Sequence, residues 1–146
     1  MTQQDNMKTA RAAWDALNAH DADRYAKLLD EKYILESDTL PEPIKGRDAA
    51  RQHVQVFFKA FPDLRFIIDQ MLISGDYVIT RYTATGTHRG DLRGIPATNR
   101  RGETHGCTVT EIKNGKLRHG WLYWDTGHLL QQLGVLPSPT QAAAAR

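Results

Sequence analysis

One acid in the chain stands where a reactive group would be useful. Asp125 closes the run Trp121-Leu122-Tyr123-Trp124-Asp125, at the point where a strand should end and a short helix begin. A carboxylate partly withdrawn from water among aromatic rings has its pKa raised by desolvation, which makes it a usable general base. The same position suits a second task. Asp-Thr-Gly ahead of His128-Leu129-Leu130 fits a helix N-cap, in which a short side-chain oxygen accepts a bond from an unpaired backbone N–H. The residue types allow the base, the cap, or both.

The other chemically capable side chains are scattered. His105 and His119 lie on the strands either side of Asn114-Gly115, and strand parity puts both on the face opposite residues 106, 108, 110, 120, 122 and 124. That face is solvent or an interface. His88 belongs to a loop and His128 to a terminal helix. No two histidines show a short ligand spacing, so no metal site is expected. Cys107, the single cysteine, is either a small strand residue or a nucleophile lacking an evident base. It allows no intramolecular disulfide and fits a reducing cytoplasm. Arg81 sits in mid-strand, where a carboxylate partner at an interface is plausible. The segment GDLRGIPATNRRG lacks a lysine followed by Ser or Thr and enters no helix, so it is not a phosphate cradle.

The elements that must position these groups are readable from periodicity. Met7, Ala10, Ala13, Trp14 and Leu17 recur at helical spacing and predict a helix from about Gln4 to Asn18, with Trp14 as core or pocket wall. Asp21 or Asp23 can cap a second helix whose buried face is Tyr25, Leu28 and Leu29. Tyr33 to Leu35 reads as a short strand and SDTLPEPIKG as a loop. A third helix runs from Arg47 to Phe61, where Pro62 stops it. Its stripe of Val54, Phe57, Phe58 and Phe61 is core or ligand box. Strands follow at Leu64–Ser74 and Tyr77–Thr87 around Gly75-Asp76, then a long connection from His88 to Arg101. Thr104–Ile112 and Lys116–Trp124 form a hairpin around Asn114-Gly115, and Gly127–Leu133 makes a last helical turn.

Helices first and a meander afterwards indicate an α+β fold, with three N-terminal helices on the concave side of a strongly curved antiparallel sheet. Such a sheet closes into a cone-shaped barrel with a small-molecule cavity. The chain has 146 residues, 40% hydrophobic and 25% charged, which suggests one domain over 1–136 and a flexible tail over 137–146. Its formal charge of +2 is spread among acids, which argues against a nucleic-acid surface. Neither a secretory signal nor a run of membrane-spanning length is expected, which points to the cytoplasm.

Five stretches together resemble one family: AWDALNAHD, AFPDLRF, TATGTHRGDLRGIPATNRR, NGKLRHGWLYWD and LLQQLG. The chain resembles the SnoaL-like polyketide cyclases (often called ester cyclases) of the nuclear-transport-factor-2-like superfamily, from about Thr9 to Leu136. The resemblance implies a homodimeric cone-shaped barrel, no metal or organic cofactor, and a small hydrophobic or polyketide-like ligand. It implies a ring-closing aldol condensation in which a carboxylate acts as general base, with hydroxylases and isomerases among the relatives.

The resemblance also implies where the pocket residues fall. The family's cyclase Asp falls on Leu122, the polar residue of the preceding strand on Thr108, its neighbour on Gly106, and the Asn of the early strand on Leu35. Alternation adds Thr110 and Trp124 to that wall, and Trp14, Phe57 and Phe61 are the candidates from the helices. A threonine hydroxyl orients a ligand but is a poor base without help. Asp125 and Thr108 are therefore the catalytic candidates of a cofactor-independent cyclase or isomerase. The alternatives are a cofactor-free oxygenase and a non-catalytic ligand-binding module.

Overall fold

The structure, a computed structural model, describes residues 2–137. The expected tail, beyond its first residue, lies outside them. Four helices and six strands follow in the order α1 (Gln3–Asn18), α2 (Ala22–Lys27), β1 (Leu29–Glu36), β2 (Ile44–Lys45), α3 (Arg47–Ala60), β3 (Arg65–Ser74), β4 (Tyr77–Thr87), β5 (Arg101–Lys113), β6 (Lys116–Trp124) and α4 (Thr126–Gln132).

Local chemistry sets most of these boundaries. Thr2 and Asp5 form a reciprocal capping box at the start of α1. That helix closes through His20 in the left-handed region (φ 53°), with the Asp21 N–H donating to the Ala16 carbonyl at 3.0 Å. Of the two candidate caps for α2, it is Asp21 that accepts the Arg24 N–H, at 2.9 Å. Asp23 instead meets Arg51 of α3 at 3.1 Å. Leu29, expected on α2, is fully buried as the first residue of β1. β1 extends beyond its apolar centre Tyr33–Leu35 because its early residues gain a partner in β6. Within the expected loop after it, Ile44 and Lys45 pair back onto β1.

The strands form one sheet in the order β2-β1-β6-β5-β4-β3. All neighbours are antiparallel except β1 and β6, which run parallel because α3 and the meander separate them in the chain. Asn114 and Gly115 both have positive φ, at 52° and 72°, as a type I′ hairpin turn requires. Register shifts leave Asp69 of β3 and Arg118 of β6 without a cross-strand partner, and bulges of this kind bend and twist long strands.

The core lies in two parts on the concave side. One gathers Ala10, Ala13, Tyr25, Leu29 and Ile112 under α1 and α2. The other gathers Phe61, Leu92, Leu129 and Leu133 where α3 ends and α4 docks. The connection after β4 is fastened to this second part, since the Arg89 and Gly90 N–H groups donate to the Ala60 carbonyl at 2.9 and 3.2 Å. A side chain at Gly90 would overlap the Lys59 carbonyl oxygen, so glycine is required there. Among the described residues no helix is long and apolar enough to cross a membrane.

Candidate functional site

A cavity of about 330 Å³ lies between the helices and the inner face of the sheet. Its floor is built by register. Thr80, Thr108 and Leu122 stand side by side across β4, β5 and β6. The next row along the strands carries Thr110, Gly120 and Leu35, and the row on the other side carries Tyr82, Gly106 and Trp124. The roof comes from α1 through Trp14, from α3 through His53 and Phe57, and from Phe61, which caps the end of α3.

The structure places Trp14, Leu35, Phe57, Phe61, Thr108, Thr110, Leu122 and Trp124 in this lining. Gly106 is not in it. A Cβ there would overlap the ring of Tyr82, which lies over the glycine backbone and takes its place in the wall. Tyr82 packs in turn on Trp14 (5.0 Å between centroids) and Phe66 (5.4 Å).

Asp125 is also absent from the lining. It is exposed, and its Oδ1 accepts the His128 N–H at 3.0 Å as the N-cap of α4. Of the roles expected at this position the structure shows the cap, and the carboxylate does not line the cavity. The next residue faces inward instead. Thr126 lines the cavity, and its buried Oγ1 has no protein partner.

Among the described residues no carboxylate lines the cavity. The ionisable groups that do are phenols, one imidazole and one guanidinium. Burial pushes the Tyr25 phenol up to about 12, and burial first, with the neighbouring Tyr25 second, pushes Tyr33 well above the ordinary range. Burial raises Tyr82 as well. All three are neutral hydrogen-bonding groups near neutral pH. His53 moves the other way, down to about 4, first by burial and then by the charge of Arg93. The Arg93 Nη2 donates to His53 Nδ1 at 3.0 Å. A neutral imidazole that accepts at Nδ1 carries its hydrogen on Nε2. His53 is therefore a donor toward a ligand and a weak base.

Two elements bring that pair together. His53 and Phe57 are one turn apart on α3, with their rings edge-on at 5.2 Å. Arg93 sits at the tip of a small hairpin in which Leu92 and Ile95 exchange backbone bonds of 2.9 Å. Its guanidinium lies 5.8 Å from the Phe57 ring centroid, within reach of a cation–π contact.

The remaining candidates on the strands occupy the outer sheet face, as parity requires. His105 Nδ1 lies 3.1 Å from the Thr83 hydroxyl, which donates to Asp69 at 2.7 Å. His119 meets Glu36 at 2.6 Å and stacks on Trp121 at 4.0 Å. The two histidines are not cross-strand partners, because His119 stands opposite Glu111 and His105 opposite Thr83. Cys107 lies opposite Tyr123 and Arg81. Arg81 bonds the neutral Gln70 at 2.9 Å instead of a carboxylate. His88, in the long connection, is fully buried against Phe61, with Nδ1 accepting the Thr98 N–H at 3.2 Å.

Comparison with known proteins agrees with this geometry. The SnoaL-like polyketide cyclase model matches residues 7–133. The chain belongs to the SnoaL-like polyketide cyclase family. No curated protein matches it by sequence. Among solved structures it is similar to AclR, a candidate hydroxylase from Streptomyces galilaeus, with 23% identity, TM-score 0.84, and 99% of this chain and 90% of that one covered. It is similar to a candidate SnoaL-like polyketide cyclase from Jannaschia sp. CCS1, with 17% identity, TM-score 0.84, and 92% and 95% covered. It is also similar to IdmH, a candidate polyketide cyclase from Streptomyces antibioticus, with 25% identity, TM-score 0.78, and 89% and 99% covered.

In this SnoaL-like cavity the groups that sequence reasoning missed are Tyr82, Thr80, Thr126, His53 and Arg93. The sequence does carry signals for two of them. His53, Phe57 and Phe61 recur every fourth residue, so the aromatic stripe begins at His53, one turn before Phe57. Arg-Gly between Leu92 and Ile95 is the pattern of a two-residue hairpin tip. What the arrangement can do chemically is seat an apolar body, hydrogen-bond its oxygens and polarise a carbonyl. It offers no strong base.

Proposed function

We propose that the protein binds a small, largely apolar, oxygenated molecule of polyketide type in this cavity and promotes its cyclisation or isomerisation without a cofactor. The observation that carries the reading is the composition of the wall. Aromatic and aliphatic side chains enclose a space of about 330 Å³ whose polar features include the hydroxyls of Thr80, Thr108, Thr110 and Thr126 and, among ionisable groups, three phenols, His53 and Arg93 but no carboxylate among the described residues. Family membership and structural neighbours described as candidate cyclases support the reaction class. Because Asp125 caps α4, the protein's contribution is shape and the polarisation of a substrate carbonyl by neutral donors, which operate best in a dry site. The cofactor-free oxygenase is a narrower version, in which the substrate's own carbanion meets oxygen in the same pocket.

A specific observation favours a second reading, a ligand-holding module without turnover. Leu122 occupies the position where the family's cyclase carboxylate is expected, and it sits in the middle of the floor. Product formation from aromatic β-dicarbonyl substrates, followed by mass spectrometry in the parent, Asp125→Asn and Leu122→Asp, separates the two. Equal turnover by the parent and Asp125→Asn is the result expected of the cyclase. Turnover by Leu122→Asp alone would assign the parent to the holding role.

We further propose a homodimer in a cytoplasmic setting. The outer sheet face exposes Ile67, Leu72, Tyr77 and Tyr123, an apolar patch suited to a second copy. The lone Cys107 suits a reducing compartment.

A further inference from the structure

We propose that the Arg93–His53 pair at the rim of the cavity is an anion-recognition site, and that the ligand is an apolar body carrying one carboxylate. This rests on the cavity being the ligand site, as proposed above.

Arg93 is exposed yet lines the cavity, so its charge stands where the apolar space meets water. The pair's geometry leaves donors unused. One Nη2 hydrogen of the guanidinium goes to His53 Nδ1, and no carboxylate among the described residues pairs with Arg93. The nearest acid along the chain, Asp91, accepts the Gly94 N–H at 3.0 Å. With Nδ1 committed as an acceptor, the hydrogen of His53 is on Nε2, which has no hydrogen-bond partner among the described residues. The free guanidinium N–H groups of Arg93 match a planar carboxylate, and His53 holds the guanidinium in place through Nδ1 while its own Nε2–H points away on the other side of the ring. The pair presents no acceptor to compete with the carboxylate, because the one acceptor of the imidazole is already occupied.

The backbone beneath Arg93 is a second, independent observation. Arg93 has φ 48° and Gly94 φ 90°, so both tip residues of the hairpin are in the left-handed region. An arginine is strained at a position that suits Gly, Asn or Asp. Leu92, buried in the cluster of Phe61, Leu129 and Leu133, holds the hairpin down, and Phe57 lies under the guanidinium. Strain sustained by its surroundings at a ligand entrance points to a role for the side chain it places.

The ligand class follows from the two ends of the site. Inside, Trp14, Phe57, Leu122 and Trp124 take an apolar body, and the threonine hydroxyls take neutral oxygens. Near the rim, Arg93 takes a negative charge that stays in contact with water, so its desolvation cost is small. Any lowering of the His53 pKa by Arg93 keeps the imidazole neutral, which preserves the donor arrangement as pH falls.

The test compares naphthalene-2-carboxylate with its methyl ester, titrated calorimetrically at neutral pH against the parent, Arg93→Gln and Leu122→Trp. The parent is expected to bind the acid about tenfold more tightly than the ester, the size of one charge-assisted hydrogen bond. Arg93→Gln should remove that preference by weakening the acid alone, and Leu122→Trp should exclude both probes. A parent that binds the ester in the cavity without preferring the acid, or a preference that survives Arg93→Gln, overturns the anion site and leaves the cavity reading standing. Failure of both probes to bind, or binding that Leu122→Trp does not affect, overturns both.

Discussion

The Tyr82 ring occupies the space that a side chain on Gly106 would fill. The two stand directly opposite on β4 and β5, and the phenol lies over the glycine between Trp14 and Phe66. Gly106→Ala must therefore displace a buried ring that has packed neighbours on both sides. We expect a loss of about 1–3 kcal/mol, the usual cost of overpacking, read as a lower urea midpoint at unchanged slope. Near-parental stability would mean that the ring is free to move.

Asp125 is expected to matter to stability and not to the chemistry. Removing a cap with Asp125→Ala should cost about 1 kcal/mol, while Asp125→Asn, itself a good cap, should cost little. Thermal unfolding of both variants checks the pair, and turnover or ligand affinity should be the same in each. Loss of function in Asp125→Asn at intact stability would return the carboxylate to the mechanism.

How far the fold and the site are legible in the sequence depends on which interaction carries the signal. Strand alternation on either side of the Asn114-Gly115 turn is local, so the sequence alone puts Thr108 and Leu122 on one face of the β5–β6 hairpin. Capping chemistry is equally local, and for Asp125 it competes openly with the base reading. Gly106 misleads because parity gives the direction of a residue but not what lies over it. Tyr82 is more than twenty positions away in sequence, on the neighbouring strand. The parallel β1–β6 pair and the bonds that extend β1 are long-range for the same reason. Arg93 and His53 come together from a loop and a helix, a contact that no periodicity encodes.

His53 should leave a signature in the pH dependence of stability. Its folded pKa, about 4, is depressed below the ordinary 6.5 by burial first and Arg93 second. A group depressed in this way contributes its stability fully above the unfolded value. The contribution is lost as pH falls between 6.5 and about 4, where the unfolded chain takes up a proton that the folded one refuses. The full effect is at most about 3 kcal/mol. His53→Gln should flatten the melting temperature across that interval, leaving it near the parent's above 6.5 and higher than the parent's below about 4. A parallel acid limb in both proteins would contradict the assignment, as would a His53 resonance titrating near 6.5.

The outer sheet face yields a prediction about assembly. Tyr123 is 55% exposed and Leu72 50%, on the face opposite the cavity. Sedimentation at low micromolar concentration should give a dimer, and Leu72→Lys with Tyr123→Lys a monomer of unchanged secondary structure. A parent that sediments as a monomer would contradict the homodimer.

The central claim is that ligand chemistry happens on the hydroxyl and apolar wall inside the cone. The most direct measurement is a methyl-detected NMR titration of the protein with 2-acetonaphthone, a neutral apolar ketone. Saturable shifts are expected at the Thr80, Thr108, Thr110 and Leu122 methyls, with Val109 and Ile67 of the outer face unmoved. Shifts confined to the outer face, or none in the inner row, would contradict it.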